Sequence, residues 1–584
     1  MIQFLSNVRL AAGVTRNHLT DDPLLLLLQL SRRLPARLVR PLSTAIVRAA
    51  RPGSAAVPVL LATLVSGSNV ELKRRLELDA ETGVAGKRAL RLANIALAGA
   101  LPGVADDFLD RSSRGPGLAA ARARRLWYDG AVSAAVAILD ADGPVNSSLK
   151  SRLAAEVSVL NGSTAPVLEH QHYVAVPGRV LHLLTNSLPH TASGYAQRSH
   201  SILAAQQSAG WEVLAVTRIG YPVQVGVLGA RTEDTVDGVR YRRLLPAKLA
   251  DTLDARLQQQ ADELLAIVLD FRPSVLHTTT HYVNALVVRA VARAVGIPWV
   301  YEVRGQLADT WASTRVPAAK ESERYRLFQD REAEVMRDAD RVVTLGAAMK
   351  ANIVAAGVPE EKVLIAPNAV GGDFLDEPLD AVAARREIGL SGDGRYIGTV
   401  SSLVAYEGLD CLIEAFALLG PVLPDVRLLI VGDGVSRPQL EERARRSGFG
   451  DRVVFTGRVH RDLAVRYHQA LDVFVVPRKD LDVTRSVTPL KPVEALACAR
   501  PVVASRLPAL QEIIDDGGDG VMVPPDDPAA LANALASLLR DPSAVTAMGR
   551  AGRAKILSTR TWAANAEALA GAYSALCSDN EGKR

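Results

Sequence analysis

The 584-residue sequence has only three cysteines, Cys411, Cys498 and Cys577, and they are far apart. They form no C-x-x-C pair and have no histidine cluster nearby, so a disulfide scaffold and a zinc site are both disfavoured. The sequence also lacks an uninterrupted apolar run of the ~18 residues that a bilayer-spanning helix needs, since 24–30 and 55–65 are too short. It shows no convincing secretory signal. We therefore expect a cytoplasmic protein, with peripheral association at the inner face of the membrane left open.

Acidic residues are scarce at the start of the chain. Over the first 60 residues eight arginines are opposed only by Asp21 and Asp22, whereas the net charge of the whole chain is +5. This offset favours an acidic partner, either an anionic membrane surface or a charged glycan. An arginine-rich, solvated helix face explains it equally well. The apolar fraction of 48% and the charged fraction of 22% are ordinary for a globular protein.

Residues 1 to about 175 have a helical pattern almost throughout. Asp21-Asp22-Pro23 is a typical helix start, with a carboxylate near the cap and proline in the first turn. The segment 37–51 places Leu38, Leu42 and Ile46 on one face and arginines on the other. Later helices separated by Asp-Gly and Gly-Pro turns suggest helical-hairpin repeats, although no 34-residue period is present. We assign 1–175 as a helical N-terminal extension.

From residue 179 onward, short apolar runs alternate with helical stretches, which is typical of βαβ units in a parallel sheet. A polar, glycine-containing stretch between about 374 and 395 interrupts the alternation once. The expected strands are 180–184, 213–217, 274–277, 299–303 and 341–345 before it, and 396–400, 426–431, 453–455, 473–476 and 501–505 after it. We predict two doubly wound, Rossmann-like α/β domains over 176–375 and 390–560 that face a cleft. A C-terminal helix and tail would follow over 561–584.

Residues 489–503 combine a loop, a short helix that contains Glu494, and a buried strand. Backbone N–H groups at a helix start can bind a diphosphate, and a carboxylate one turn further can accept hydrogen bonds from two ribose hydroxyls. The alternative is that Glu494 merely stabilises the helix dipole. The residues alone favour neither interpretation.

Other segments have the order and spacing of one known family. They are 367–370 (Pro-Asn-Ala-Val), 431–434 (Val-Gly-Asp-Gly), 452–457 (Arg-Val-Val-Phe-Thr-Gly), 470–477 (Ala-Leu-Asp-Val-Phe-Val-Val-Pro), the segment around Glu494 and 520–525 (Gly-Val-Met-Val-Pro-Pro). Through them, the stretch from about Arg179 to Tyr573 resembles glycosyltransferase family 4, whose two-domain fold is called GT-B. Each segment alone is weak, since Gly432-x-Gly434 by itself indicates only a tight turn.

The resemblance places Glu494 at the second glutamate of the family's E-x7-E motif, which binds the donor ribose. The first glutamate would fall at 486, where this chain has Ser486. Glu407 stands where the family has a lysine that neutralises the leaving diphosphate, and a carboxylate would repel phosphate. A subgroup reading Val-Thr-Pro-Leu-Lys-Pro-x-Glu-Ala resembles this chain at 487–495, and its Tyr-Glu-Gly-Leu-Asp resembles 406–410. The departures are therefore either a subgroup signature or a sign of lost activity.

Two cations are candidates for the missing positive charge and for a catalytic role. Lys491 precedes Glu494 by one turn, and Arg478 follows the expected strand 473–476 on the cleft side. A solvated lysine at a helix start is the alternative for Lys491. Besides Glu494, the donor-binding candidates are Gly194, Thr488, Leu490, Gly432 and Arg458.

The remaining candidates lie at strand ends of the N-terminal α/β domain. His190 and Gly194 belong to a loop that opens a helix, where a missing side chain lets backbone amides approach a phosphate. His190 and His281 are candidates for acceptor or sugar binding, although His281 can equally cap the following helix. Glu302 and Arg304 replace the family's usual His-Asp pair and are catalytic candidates. The alternative for both is an ion pair that stabilises the strand end.

The resemblance implies a retaining glycosyltransferase of the hexosyltransferase type that needs no metal ion or other cofactor. Its substrates would be a nucleotide-sugar donor and a glycan or lipid-linked acceptor, in cell-envelope or exopolysaccharide synthesis, with no nucleic acid as partner. An inactive GT-B scaffold or regulator remains open, favoured by Ser486 and Glu407. A nucleotide-sugar epimerase also remains open, but it needs acid–base carboxylates that the sequence does not identify. A Rossmann dehydrogenase is disfavoured, because no strand precedes a proper G-x-G-x-x-G.

Overall fold

The computed structural model describes residues 2–21, 23–31, 36–50, 56–141 and 146–581. Over these residues the chain forms a helical region followed by two α/β domains. The helix start predicted at Asp21-Asp22-Pro23 lies partly outside them: one helix ends at Asp21 and the next begins at Pro23. Arg32, Arg33 and Arg51 also lie outside the described residues.

Ten helices form the helical region in these ranges: α1 (Ile2–Asp21), α2 (Pro23–Ser31), α3 (Ala36–Ala49), α4 (Val57–Ser66), α5 (Asn69–Glu81), α6 (Gly86–Ala98), α7 (Pro102–Asp110), α8 (Pro116–Asp129), α9 (Val132–Asp140) and α10 (Ser147–Leu160). Six of them, α2 and α4 to α8, share a core that includes Leu60, Leu72, Leu92 and Phe108. Leu10 of α1 and Val159 of α10 instead belong to the core of the first α/β domain. The all-helical character predicted for this region is confirmed up to Leu160, whereas residues 161–175 of the predicted extension contain no helix. No helix in the described part of the chain is both long and apolar enough to cross a membrane.

The first α/β domain contains an eight-stranded sheet in the order β3-β4-β2-β1-β5-β6-β7-β8. The strands are β1 (Arg179–Leu184), β2 (Glu212–Thr217), β3 (Glu233–Val236), β4 (Val239–Arg243), β5 (Val275–Thr279), β6 (Trp299–Val303), β7 (Arg341–Thr344) and β8 (Val363–Ile365). All pairs are parallel except β3 with β4. The helices are α11 (Gly194–Ser208), α12 (Leu253–Phe271), α13 (Tyr282–Val295), α14 (Leu307–Ala312), α15 (Glu323–Asp338) and α16 (Ala347–Ala355).

The second α/β domain contains a six-stranded parallel sheet in the order β11-β10-β9-β12-β13-β14. The strands are β9 (Arg395–Val400), β10 (Val426–Val431), β11 (Val453–Gly457), β12 (Val473–Val476), β13 (Val502–Ser505) and β14 (Gly520–Val523). The helices are α17 (Ala381–Glu387), α18 (Leu409–Leu419), α19 (Arg437–Arg446), α20 (Ala464–Gln469), α21 (Asp482–Ser486), α22 (Lys491–Ala497), α23 (Pro508–Gln511), α24 (Pro528–Arg540) and α25 (Pro542–Thr559). The central strands β10, β12 and β13 are almost wholly buried, because helices cover both faces of the sheet.

A last helix, α26 (Trp562–Glu581), returns to the first domain and packs on its sheet through Trp562, Leu569 and Tyr573. The chain therefore crosses between the domains twice, and Val370 and Trp562 are hydrogen-bonded where the two crossings meet. The two predicted doubly wound domains are confirmed.

The carboxyl ends of both sheets face each other. Gln306, which follows β6, is hydrogen-bonded to Ser486, which follows β12. The backbone N–H of Ala347, after β7, donates to Glu512, after β13, at 2.7 Å. In doubly wound sheets ligands bind outside the carboxyl ends of the strands, so this cleft is the place to look for a site.

Candidate active site

Glu494 lies in the first turn of α22, and its carboxylate is held at one oxygen. Oε2 accepts a hydrogen bond from Lys491 Nζ at 2.8 Å, and His468 Nε2 lies 3.3 Å from the same oxygen. Burial disfavours the charged form, but Lys491 and His468 outweigh it and lower the pKa of Glu494 to about 2. The group is therefore ionised at neutral pH. Within the described residues its side-chain contacts use Oε2, which leaves Oε1 to accept from a ligand hydroxyl.

The loop 487–491, which leads into α22, is held against the first domain. The carbonyl oxygen of Thr488 accepts from Asn368 Nδ2 at 2.9 Å, and Leu490 packs beside the cluster that contains Trp562. The Thr488 hydroxyl is buried and has no hydrogen-bond partner among the described residues. Both predicted donor-binding residues thus lie where the two domains meet.

Arg478 and Glu407 form a two-point ion pair at the strand ends. Arg478 Nη2 and Nε donate to the two Glu407 oxygens at 2.8 and 3.1 Å, and Nη1 donates to the carbonyl of Val487 at 2.9 Å. The loops that carry them are close: a Cβ at Gly408 would lie 1.8 Å from the carbonyl oxygen of Pro477. Glu407 is therefore not a lone negative charge facing a phosphate, because Arg478 already neutralises it.

Glu302 and Arg304 are almost completely buried, with 1% and 3% exposure. Glu302 accepts from Arg198 at 2.7 and 3.0 Å and from Arg304 at 2.5 Å. Burial alone would raise the pKa of Glu302, yet the two guanidinium groups outweigh it and hold that pKa well below its usual range. This geometry supports the ion-pair alternative. Both groups are buried against protein partners, and their contact with sugar or phosphate stays a prediction.

Arg198, which the sequence did not single out, connects this ion pair to the second domain. Its guanidinium donates to the carbonyl oxygens of Ala366 and Pro367 at 2.6 and 2.9 Å and to Asn368 Oδ1 at 3.2 Å. Asn368 in turn bonds to Thr488. A continuous polar network therefore runs from Glu302 to the loop before Glu494.

Gly194 begins α11, with Ser193 as its cap. A Cβ at Gly194 would meet no atom within 4 Å, so the space beside it is open. The next residue, Tyr195, is 49% exposed and lies over Gly305, and its backbone carbonyl accepts from Arg304 at 3.1 Å. Its hydroxyl is near Arg304 and Arg478, and partial burial raises the pKa of this hydroxyl while the two guanidinium groups oppose the shift.

The two predicted sugar-binding histidines have protein partners. His190 Nε2 lies 3.0 Å from Asp234 Oδ2. His281 Nδ1 accepts from the backbone N–H of Val283 at 3.4 Å and thereby caps α13, and its ring packs edge-on against Phe328. Burial, helped by Arg324 and Arg218, lowers the pKa of His281 to about 4. The structure supports the capping alternative for His281, and sugar binding by either histidine stays a prediction.

Gly432 and Arg458 lie at the ends of β10 and β11. Gly432 has φ +129°, and a Cβ there would lie 1.9 Å from the carbonyl oxygen of Ser401, so only glycine permits this close approach of the strand ends. Arg458 is exposed and makes no hydrogen bond or ion pair in the part of the chain that the structure describes. Both stay predicted donor-site residues.

Ser486 occupies the position of the missing glutamate and joins the two domains instead. Its hydroxyl lies 2.7 Å from Gln306 Oε1 of the first domain and 2.8 Å from the carbonyl oxygen of Asp482. A glutamate at this buried position would need more room than the contact with Gln306 leaves.

Sequence reasoning missed Tyr195, Arg198 and His468. Arg198 and His468 did leave a signal, since each is a polar residue at a helix position that apolar neighbours mark as buried. Tyr195 gave no such signal in the sequence, because its position at the cleft depends on where the second domain lies. No group of three or more His, Cys, Asp or Glu that could hold a metal occurs in the described ranges. The expectation that no metal is needed stays a prediction.

Two family models match the α/β domains. Residues 193–369 match "Glycosyl transferase 4-like domain" and residues 394–541 match "Glycosyl transferases group 1". Both matches support a GT-B glycosyltransferase. They leave the N-terminal helical region unmatched.

Curated relatives are about one-third identical to this chain over the part that aligns. A GDP-mannose-dependent alpha-(1-6)-phosphatidylinositol monomannoside mannosyltransferase of Mycolicibacterium smegmatis is 33% identical over 40% of this chain and 62% of its own length. A D-inositol 3-phosphate glycosyltransferase of Segniliparus rotundus is 30% identical over 42% and 54%. The chain therefore spans little more than half the length of these relatives.

Solved structures share the fold. Sucrose-phosphate synthase from Thermosynechococcus elongatus superimposes with a TM-score of 0.58 at 22% identity, covering 69% of this chain and all of that one. Anabaena HepE, solved in complex with UDP, gives 0.54 at 17% identity, covering 68% of this chain and all of that one. The two α/β domains therefore have the GT-B fold.

Proposed function

We propose that this chain, which has the fold and both matched domains of a GT-B glycosyltransferase, transfers a sugar from a nucleoside-diphosphate sugar to an acceptor hydroxyl. Retention of configuration at the transferred sugar and independence of metal ions are carried over from the family 4 resemblance. The observation that supports the proposal best is Glu494, an ionised carboxylate in the cleft with one oxygen unshared and Lys491 beside it.

In this proposal Glu494 binds the donor ribose. A carboxylate accepts hydrogen bonds from both hydroxyls of a vicinal diol, and the charge makes these bonds stronger than neutral ones. His468 and Lys491 fix the carboxylate before the donor arrives, so little ordering remains to be done on binding. HepE, which has the same fold, was solved with UDP, and this supports a nucleotide as part of the donor.

Lys491 is the first candidate for stabilising the departing diphosphate. Its ammonium group carries three N–H donors, of which Glu494 takes one, and 35% of the side chain is exposed. Arg478 is the second candidate, but its charge is offset by Glu407. Cations held in place before the reaction stabilise the charge that develops on the leaving group without further reorganisation.

The pairing of Glu407 with Arg478 favours a subgroup signature over loss of activity. In the family pattern a lysine near position 407 supplies positive charge, whereas here an arginine on the neighbouring strand end supplies it together with a carboxylate. The competing hypothesis is an inactive GT-B scaffold, because the cations nearest Glu494 are already neutralised by acids.

The acceptor is proposed to be a glycan or lipid-linked glycan of the cell envelope or an exopolysaccharide. The relatives include a phosphatidylinositol monomannoside mannosyltransferase and a lipopolysaccharide core mannosyltransferase. The arginine-rich N-terminal helices would then attach the protein to the inner face of the membrane, where such an acceptor is exposed. We therefore place the protein in the cytoplasm with a peripheral membrane association.

Release of nucleoside diphosphate from a panel of UDP-, GDP- and ADP-sugars, with and without glycan acceptors, tests the enzyme proposal. We expect release from one class of donor, and Glu494→Gln should lower kcat/KM by about 10- to 100-fold because hydrogen bonds to a charged group are lost. Glu442→Gln, on the outer surface of α19, is the matched control and should leave the rate unchanged.

Two other outcomes of this assay would contradict sugar transfer. Conversion of a donor to its epimer without release of nucleoside diphosphate would identify the epimerase. No reaction with any donor would contradict the enzyme proposal and favour the scaffold.

A further inference from the structure

The segment 306–322, called the strut here, lies between the helical region and the second α/β domain. It contains α14 and a 3-10 turn at Pro317–Glu321, and it leads from the end of β6 to the start of α15. It begins two residues after Arg304, so it leaves the sheet at the cleft.

One end of the strut is fitted against the helical region at Gly130. This glycine has φ +86°, and a Cβ there would lie 2.6 Å from Ser322 Oγ and 2.9 Å from the ring of Trp311. Its carbonyl oxygen accepts from the backbone N–H of Arg324 at 2.9 Å. Only glycine allows this packing.

Stacked cations and rings extend the same contact. The guanidinium of Arg315 lies 4.3 Å from the ring centre of Trp311 and 4.8 Å from that of Tyr128, and its Nε donates to the Tyr128 carbonyl at 3.1 Å. Arg324 lies 5.4 Å from Trp127 and 5.7 Å from Trp311. Cation–π contacts of this geometry favour one relative position of the rings, so the helical region fixes the strut.

The strut also contacts the second domain, at the helix immediately before the Glu494 segment. At the beginning of the strut Gln306 Oε1 accepts from Ser486, and near its end Lys320 is ion-paired with Asp482. Ser486 and Asp482 are the two ends of α21, which leads directly into loop 487–491. Contacts therefore run without a gap from the helical region through the strut to the loop that carries Thr488 and Lys491.

We propose that the helical region is a positioning element of the transferase, which through the strut holds α21 and loop 487–491 in place for the nucleotide of the donor. The effect on the donor rests on the function proposed above, whereas the mechanical coupling does not. The helical region thereby acquires a role that neither matched domain explains. If this coupling exists, a change at the contact between the helical region and the strut must alter the structure of α21.

Hydrogen exchange of the ligand-free chain tests the coupling without any donor. The amides of Thr484, Arg485 and Val487 are hydrogen-bonded within α21 and report on its opening. Gly130→Ala should speed their exchange by about fivefold or more, the lower end of coupling between linked sites. Gly103→Ala, where a Cβ meets no atom within 4 Å, is the matched control in the same region and should change nothing.

A second pair of variants guards against simple unfolding of the helical region by Gly130→Ala. Arg315→Gln removes the stacked cation and should have the same effect at α21, whereas Arg326→Gln, on the exposed side of α15, should have none. In a background that carries both Gln306→Ala and Lys320→Ala, Gly130→Ala should add nothing at α21, because both contacts from the strut to α21 are already removed. Unchanged exchange at 484–487 in Gly130→Ala and Arg315→Gln, or equal effects with and without these two contacts, would overturn the coupling.

Nucleotide affinity then decides whether the coupling serves the donor. Calorimetric titration with UDP, GDP and ADP should show Gly130→Ala and Arg315→Gln binding the preferred nucleotide about fivefold more weakly than the controls. Altered exchange with unaltered affinity would overturn the role in donor binding. If the wild-type chain binds none of the three nucleotides, the proposed transferase function is contradicted. The hydrogen-exchange measurement still tests the coupling through the strut, because it needs no nucleotide.

Discussion

At the scale of single residues, the charged groups of the cleft occur in pairs. Arg478 is joined to Glu407 at two points, and Lys491 to Glu494 at one. A buried pair adds little net stability, but removing one partner leaves an uncompensated charge at a cost of about 3–5 kcal/mol. The acidic partners therefore hold Arg478 and Lys491 in place. They also reduce the net positive charge that a bound diphosphate would meet.

Substitutions that change one partner at a time should move nucleotide affinity in opposite directions. Glu407→Gln leaves Arg478 unneutralised and should tighten binding of a nucleoside diphosphate several-fold. Arg478→Gln leaves Glu407 facing the phosphates and should weaken binding by about 10- to 100-fold, the range for losing a hydrogen bond from a charged group. The double variant, with no net change in charge, should lie between them. Calorimetric titration with UDP, GDP and ADP measures all three.

Asp425→Asn, which breaks the exposed ion pair with Arg395 on the same sheet, is the control and should leave affinity unchanged. If Glu407→Gln weakened binding as much as Arg478→Gln, the pair would be a structural unit and Arg478 would not be a phosphate ligand. Melting temperatures of all variants separate this outcome from loss of the folded state.

The sequence predicts the residues of the site that follow local rules. Glu494, Lys491 and Arg478 stand at a helix start and a strand end, where position along the chain is enough to place them on the cleft side. Apolar neighbours mark Arg198 as buried, but its role was missed because its partners, Glu302 and Asn368, are distant in sequence. A local pattern can indicate that a charged residue is buried, but it does not encode which residue that charge pairs with.

At the scale of elements, the alternation of apolar runs and helices predicts ten of the fourteen strands that the structure describes. The predicted 299–303, 426–431 and 473–476 coincide with β6, β10 and β12. The strands β3, β4, β8 and β14 were missed. β4 alternates buried and exposed residues, and charged residues such as Arg240 and Arg242 interrupt its apolar pattern. The other three lie at sheet edges and have only three or four residues each, so they leave no long apolar run in the sequence.

The amphipathic helix α3 leads to a prediction about membrane binding. Leu42 is 65% exposed and Ile46 is also exposed, so these two residues of the predicted apolar face are not covered by the described part of the chain. In liposome flotation we expect more protein with anionic than with neutral vesicles and less at high salt, because arginines attract anionic lipid. Leu42→Ser should reduce recovery, whereas Val70→Ser, at an exposed apolar residue of α5, should not. Equal recovery with both vesicle types would contradict membrane attachment.

At the scale of the whole molecule, the described chain is tied together by contacts between its distant parts. The helix α26 packs on the first sheet, and Asn7 of α1 donates to the carbonyls of Leu228 and Ala230. The sequence predicts that a helical region and two domains exist, since periodicity is local. It does not predict how they dock, because docking depends on the shapes of surfaces that form only after folding.

The most direct test of the donor site compares ribose and deoxyribose. Whichever of UDP, GDP and ADP binds the wild-type chain most tightly is titrated beside its 2′-deoxy form, against the wild type and Glu494→Gln. If Glu494 binds the ribose, the wild type should prefer the ribonucleotide by about tenfold, the effect of one hydrogen bond to a charged group. Glu494→Gln should remove most of that preference. A preference that survives the substitution unchanged would contradict the assignment of Glu494.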